Sequence, residues 1–281
     1  MRRTITGRRR FSAGWIPVLL AAFFTIFWII DYLASSSGAV WPEFVGEDLQ
    51  MDGNLMLDCT HSADGYVLAS VLSPSENRMK LRMTFGGGAQ LTYDLDNTGQ
   101  YETFPLQLGS GTYEFSLYEN AGGTKYSSEG KVTISVQLNR EDAAFLAPNQ
   151  YVNYTKESPS VLKADELSEG HSETEIYQAV CDFMGSEFSY DFIRAQTISP
   201  GELPEVDPCY ESRMGICQDR AAVMVSMLRT QGIASRLMIG YADSYYHAWT
   251  VSYVNGEEKF FDPTAAIGAM NAGSYTVERF Y

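Results

Sequence analysis

The chain has 281 residues, of which 20 are basic and 35 acidic, giving a formal net charge of −15 at pH 7. That length can hold a membrane segment and two modest domains, and so acidic a surface disfavours binding to nucleic acid or to anionic lipid headgroups. No internal repeat, glycine-rich phosphate loop or dinucleotide fingerprint is present in the sequence.

Arg2, Arg3, Arg8, Arg9 and Arg10 precede an apolar run over residues 15–30, which Tyr32 and Leu33 extend past Asp31. A basic segment followed by an apolar stretch near the length of a membrane span predicts a cytoplasmic tail and single-pass transmembrane anchor over residues 1–34. The positive-inside rule keeps the arginines in the cytoplasm and places the rest of the chain on the far side of the cell membrane. Ser37-Gly38-Ala39 would also suit a cleaved signal, but the apolar run exceeds the usual signal core of roughly 7–15 residues, which favours a retained anchor. Without those five arginines and Asp31, 15 basic residues face 34 acidic ones, so the exported part is more acidic than the whole.

Residues 35–52 read as a linker. From residue 65 to 138 the chain offers short alternating segments (YVLASVL, RMKLRMTF, AQLTYDL, YETFPLQL, TYEFSLYE and KVTISVQL) separated by SPSEN, GGG, DNTG, GSG and NAGG. Regular short strands with glycine- and asparagine-rich turns predict an antiparallel β-sandwich over residues 53–140. Cys59 and His61 could share a strand face, but two ligands fall short of the three or four a metal site needs. Residues 141–171, with Pro148 and Pro159, read as a connector. Ser172-Glu173-Thr174-Glu175 is a capping box opening a helix to about residue 187, with Ile176, Val180, Phe183 and Met184 on its apolar face. A loop with Pro200, Pro204 and Pro208 then leads to Gly215 and is expected to rim a cleft. Disulfides are permitted in an exported chain; Cys181–Cys209 is the expected pair, with a fully reduced set as the alternative.

Chemistry concentrates in the last third, which reads Gly215-Ile216-Cys217-Gln218-Asp219, then Tyr246-His247-Ala248-Trp249, then Phe261-Asp262-Pro263-Thr264. Apolar residues recur at helical spacing over residues 216–229, and Gln231-Gly232 supplies the stop. Cys217 therefore sits in a first helical turn, where unpaired N–H groups and the positive dipole end favour a thiolate; Asp219 opposes this weakly. Strands are predicted over residues 236–241 and 245–254, and Asn255-Gly256 is a strong hairpin signal returning the chain over residues 257–262. With that turn Val254 faces Glu257 and Trp249 faces Asp262. His247 and Asp262 become diagonal neighbours on one sheet face, within side-chain reach. Alone, each of the three has an ordinary role: a buried small hydrophobe, a core histidine, a turn aspartate. Together they are the candidate catalytic residues, with Cys217 as nucleophile, His247 as base and Asp262 as the group that orients it.

Residues 215–264 resemble the transglutaminase-like superfamily, of a bacterial membrane-anchored type. The matching motifs are the Gly-x-Cys-x-Asp helix start, Gly232-Ile233 with Arg236, His247-Ala248-Trp249 and Asp262-Pro263-Thr264. The resemblance implies an α+β domain over residues 172–281, in which a catalytic helix packs on an antiparallel sheet and carries a papain-like Cys-His-Asp triad. It also implies attack on peptide or protein carboxamides through a thioester, ended by water (a peptidase or amidase) or by an amine (a cross-linker). No metal or organic cofactor is required. The backbone N–H of Cys217 is the expected oxyanion donor, with Tyr190 and the Gln218 side chain as candidates for a second. Two departures stand out: Arg220 where an aromatic residue is usual, which bears on substrate preference, and Ala234 where proline is common. A non-catalytic cell-surface binding or scaffolding module on the same fold is the alternative.

Overall fold

The computed structural model describes residues 38–270 and 272–281. The expected cytoplasmic tail and membrane anchor lie outside the described residues, among which no helix is long and apolar enough to cross a membrane. Eight strands form the N-terminal half: β1 (Leu49–Asp52), β2 (Leu55–Asp58), β3 (Tyr66–Val71), β4 (Met79–Phe85), β5 (Ala89–Leu95), β6 (Glu102–Pro105), β7 (Gly111–Gly122) and β8 (Lys125–Val136). They make two four-stranded antiparallel sheets, ordered β1-β2-β3-β6 and β5-β4-β7-β8. Alternation does the work here. Leu55 and Leu57 from one sheet share a core with Leu81, Met83, Phe115 and Leu117 from the other, while intervening residues such as Lys80 and Arg82 are left partly exposed. The strand expectation from residue 65 onward holds; β1 falls in the stretch that reads as linker, and β2 adds a strand at the start of the expected sandwich. His61 turns to the surface and bonds Asp64 through Nδ1 at 3.0 Å, while Cys59 is buried.

Beyond β8 the chain is more helical than its sequence suggests. Helix α1 (Pro159–Ser168) starts with proline in its first turn, where the missing N–H costs no bond. It occupies part of the expected connector, packing through Ser160, whose hydroxyl meets that of Ser226 at 3.0 Å. Helix α2 (Glu173–Ser186) begins at the capping box, with both reciprocal bonds formed. The proline-rich loop contains two short helices, α3 (Arg194–Thr197) and α4 (Val206–Ser212), the second burying Cys209 and Tyr210. Helix α5 (Cys217–Thr230) follows, and every residue from Asp219 to Thr230 is buried. A helix enclosed on all sides is the centre of its domain, and α1, α2, α4 and a third sheet pack around it.

That sheet runs β13-β12-β11-β14, with β11 (Ser235–Ala242), β12 (Tyr245–Val254), β13 (Glu257–Phe261) and β14 (Tyr275–Phe280) all antiparallel. Val254 pairs with Glu257 across Asn255-Gly256 as the hairpin signal requires. Both turn residues adopt positive φ, +51° and +79°, which suits asparagine and glycine. Sandwich and helical halves are sewn together: Tyr281 stacks on Tyr151 at 3.5 Å and meets the Tyr93 ring at 6.0 Å, and the Gln107 amide donates to the Phe280 carbonyl. Arg229 of α5 reaches the carbonyls of Ala147, Ser235 and Tyr281 at 2.6–2.9 Å.

The expected Cys181–Cys209 disulfide is not formed; all four cysteines are free. Cys181 is enclosed on α2 and Cys209 on α4, and burial pushes both thiols up to about 12. Each behaves as a small hydrophobe in its own helix packing.

Candidate active site

The nucleophile position is prepared by a short parallel pairing. Strand β9 (Ser189–Tyr190) pairs with β10 (Met214–Gly215), so that Tyr190 lies beside Gly215 immediately ahead of α5. A Cβ on Gly215 would stand 2.5 Å from Cys209 Sγ and 3.0 Å from Asp219 Cβ, so only glycine fits between α4 and α5. Cys217 then opens α5 as a partly exposed residue, and its N–H belongs to the first turn, where helices leave donors without intrahelical acceptors.

Asp219 is fully occupied. Its carboxylate accepts from the Ile216 N–H at 3.2 Å, which is the reaching-back half of a capping box. It also accepts from Arg194 Nε at 2.9 Å and the Glu205 N–H at 3.1 Å. Arg194 further pairs with Glu202 and Glu205 at 2.8 and 3.4 Å. Asp219 therefore anchors the rim loop to the helix start, and Arg194 offsets its charge, where the sequence suggests only weak opposition to a thiolate. Gln218 is committed as well, donating through Nε2 to the Glu202 carbonyl at 3.1 Å, which argues against it as the second oxyanion donor. Tyr190 is half-buried; burial first, and then the neighbouring Cys217, push its phenol up to about 12, with Arg220 opposing. It keeps its proton at neutral pH and remains able to donate.

His247 on β12 is buried, and its Nε2 lies 2.9 Å from Asp262 Oδ2. Asp262 follows β13 and caps helix α6 (Pro263–Ala266), its Oδ1 accepting from the Thr264 and Ala265 N–H groups at 2.8 and 3.1 Å. These bonds fix the carboxylate before it meets the imidazole. Cys217 neighbours the same imidazole and acts on its protonation. With Nε2 held by Asp262, Nδ1 is the ring nitrogen left uncommitted. Burial works against the imidazolium, but bonds to Asp262 and Cys217 and their charges outweigh it and push His247 up to about 9. For Asp262 burial likewise favours the neutral acid, and the bonds from His247 and Tyr275 reverse it, holding the carboxyl below its ordinary value. The three candidate residues thus come together.

Residues 163–261 match the family model described as the transglutaminase-like superfamily, a span that includes Cys217 and His247 and ends one residue before Asp262. Those residues form a transglutaminase-like domain. Comparison with curated proteins gives no match. Among solved structures, the chain is similar to a "putative cysteine protease" from Cytophaga hutchinsonii, at 14% identity and TM-score 0.39, over 83% of this chain and 90% of that one. It is also similar to a "putative protease" from Parabacteroides distasonis (14% identity, TM-score 0.35, 71% of this chain and 42% of that). A third similarity is to red sea bream transglutaminase (12% identity, TM-score 0.27, 71% and 48%). The chain spans less than half the length of the last two.

One residue of the candidate site has no signal in the spacing of the motifs. Tyr275 at the start of β14 donates its hydroxyl to Asp262 Oδ2 at 2.7 Å, and its ring meets Trp249 edge-on at 5.0 Å and Phe260 at 4.8 Å. It closes the outer side of the His247–Asp262 pair. Among the described residues no three His, Cys, Asp or Glu side chains converge as metal ligands. A groove of about 720 Å³ between Trp41, Tyr101 and Tyr154 opens elsewhere and contains none of the triad.

Proposed function

We propose that the chain is a thiol enzyme acting on peptide or protein carboxamides, with Cys217 as nucleophile, His247 as proton carrier and Asp262 as its orienting group. The observation that carries this reading is the buried His247–Asp262 pair at 2.9 Å, with Cys217 as a neighbour that acts on the same imidazole. His247, pushed up to about 9, holds a proton at neutral pH, which suits a resting thiolate–imidazolium pair. The thiolate adds to the carboxamide carbon, and the Cys217 N–H donates to the developing oxyanion. The Tyr190 phenol is the second donor in this scheme. Collapse of the adduct breaks the C–N bond as the imidazolium gives its proton to the departing amine, leaving a thioester. Neutral His247 then takes a proton from water or from an incoming amine, whose attack yields an acid or a new amide and returns the thiolate. Outside the cell, water greatly exceeds free amine, which favours hydrolysis. No metal or organic cofactor enters these steps.

For location, the basic segment before Phe11 and the apolar run to Leu33 support a single-pass anchor in the cell membrane with the catalytic domain outside the cytoplasm. The test of the chemistry is incubation with glutamine-containing peptides, with and without a primary amine, read by mass spectrometry against Cys217→Ala. Glutamate formation indicates hydrolysis and amine incorporation indicates transfer. Peptides left unchanged by the wild-type chain, with a Cys217 that alkylates no faster than Cys181 or Cys209, would replace the enzyme with a binding or scaffolding module.

A further inference from the structure

The groove of about 720 Å³ that opens away from the triad is walled by Trp41, by the ends of β5 and β6, and by the segment between β8 and α1. Its size is that of a ligand site. Its charge is one-sided: five carboxylates line it against one cation, Lys156. Two of the five are engaged by the chain itself. Asp94 pairs with Arg78 and Lys80 at 2.9 and 3.0 Å, and Glu102 accepts from the Gln150 amide at 2.8 Å. Glu43, Asp96 and Glu157 are exposed and, among the described residues, form no ion pair. Lys156 holds its ammonium over the Trp41 ring, 5.7 Å from the centroid, so this face already accepts a cation. Hydrogen-bond donors are unspent on the same wall. Asn149 is 5% exposed; its Oδ1 accepts from the Tyr151 and Val152 N–H groups at 2.9 and 3.0 Å, which fixes the amide's orientation, and its Nδ2 has no partner. The Tyr101 hydroxyl has none either. A buried polar group left unpaired is costly, and at a groove wall the missing acceptor can come from a ligand. The groove continues to Gly201 and Leu203 of the rim loop. Glu202, between them, accepts from Gln218, the residue after Cys217. A chain lying in the groove is thus led toward the helix that carries the nucleophile.

We propose that this groove is a docking site for a basic stretch of polypeptide, whose ammonium or guanidinium groups meet Glu43, Asp96 and Glu157 and whose backbone carbonyls accept from the wall. A neutral ligand would leave the three carboxylates unanswered, and an anionic one would be repelled. Docking stands apart from the catalytic reading; only the step from docked chain to substrate of the triad rests on it.

The test is binding of a fluorescein-labelled peptide of alternating lysine and glycine to the full-length Cys217→Ala chain, which cannot turn a peptide over, read by anisotropy. Combining Glu43→Gln, Asp96→Asn and Glu157→Gln should weaken binding about tenfold, the sum expected of three exposed ion pairs. Combining Glu169→Gln, Glu211→Gln and Glu278→Gln, which removes the same charge from exposed positions outside the groove, should leave binding within about twofold. Lys156→Met should tighten it, because the Trp41 face is freed. Equal losses from the two triple variants would mean general attraction to an acidic chain and would overturn the proposal, as would no loss from either. A peptide of alternating glutamate and glycine that binds as well would also overturn it. Spermidine that displaces the lysine peptide at matched charge concentration would overturn the polypeptide assignment in favour of a small polyamine. Peptide binding beside a wild-type Cys217 that labels no faster than Cys181 would support the groove and remove the triad. Peptide turnover by the wild-type chain without groove binding would do the reverse.

Discussion

Asp262→Asn is the sharpest perturbation of the site, because the two ends of the side chain do different jobs. Oδ1 caps α6 through Thr264 and Ala265, and an asparagine oxygen can keep both bonds, so the variant should fold. At the other end an NH₂ group would replace the oxygen that accepts from His247 and Tyr275. Facing a donor, Nε2 of neutral His247 must become the acceptor, which moves the ring proton to Nδ1. The nitrogen facing Cys217 then carries a proton and cannot take another. In a Ser-His-Asp triad such tautomer inversion costs about 10⁴-fold in turnover, and the same order is expected here for peptide conversion, with alkylation of Cys217 falling less. Stability should respond too. His247 rises from 6.5 to about 9 on folding, a coupling shared with Cys217 and worth at most ~3 kcal/mol at 1.36 kcal/mol per unit. Because the folded value is the higher one, this contribution is complete below pH 6.5 and is lost as pH rises through about 9. Resistance of the wild-type chain to urea should therefore weaken between those limits, and the Asp262→Asn chain should show a flatter dependence. Turnover within tenfold of wild type, together with an unchanged stability profile, would refute the tautomer argument.

Gly215→Ala should reduce stability by about 1–3 kcal/mol and slow Cys217 labelling, because its Cβ would meet Cys209 Sγ at 2.5 Å. Adding Cys209→Ala should recover much of both, as seen by thermal melting and labelling rate. Tyr275→Phe removes a charge-assisted bond to Asp262 at a cost of about 1.5–3 kcal/mol. It also leaves the carboxylate more strongly engaged with His247, so the imidazolium should lose its proton at higher pH in an NMR titration; a fall would contradict this. Arg229→Met strands the carbonyls of Ala147, Ser235 and Tyr281, each worth about 1–3 kcal/mol if left unpaired. The melting temperature should drop, while Cys217 labelling well below the melt should be unaffected.

The sequence made the site legible where local rules act over a few residues. Asn255-Gly256 admits one register, and that register places Asp262 diagonally from His247. Ser172 and Glu175 announce α2 by the bonds they go on to make. Failure came where long-range pairing or competing signals decide. Tyr275 reaches Asp262 because β14 lies against β11 at the sheet edge, and no spacing within the catalytic motifs encodes that. Pro208 lies inside the short helix α4, at its third residue, which masks a turn that buries Cys209 and Tyr210. Pro159 at the head of α1 was a usable start signal, but the lysine, aspartate and glutamate that follow it blur its one buried face. The strands LQMD and LMLD are too short to show alternation, and their order emerges only beside β3.

Helix α5 carries three charged residues inside the protein, and their surroundings differ in a way that assigns their roles. Arg229 sits farthest from the nucleophile, and every arm of its guanidinium meets a carbonyl. Burial still lowers it to about 10, but its donors are spent on joining helix, sheet and the segment before α1. Asp219 is met by one cation and two N–H groups, which fasten the rim loop beside Cys217. The same helix therefore satisfies buried charge fully where charge serves architecture. Arg220, between them, keeps one long bond and two unpartnered nitrogens.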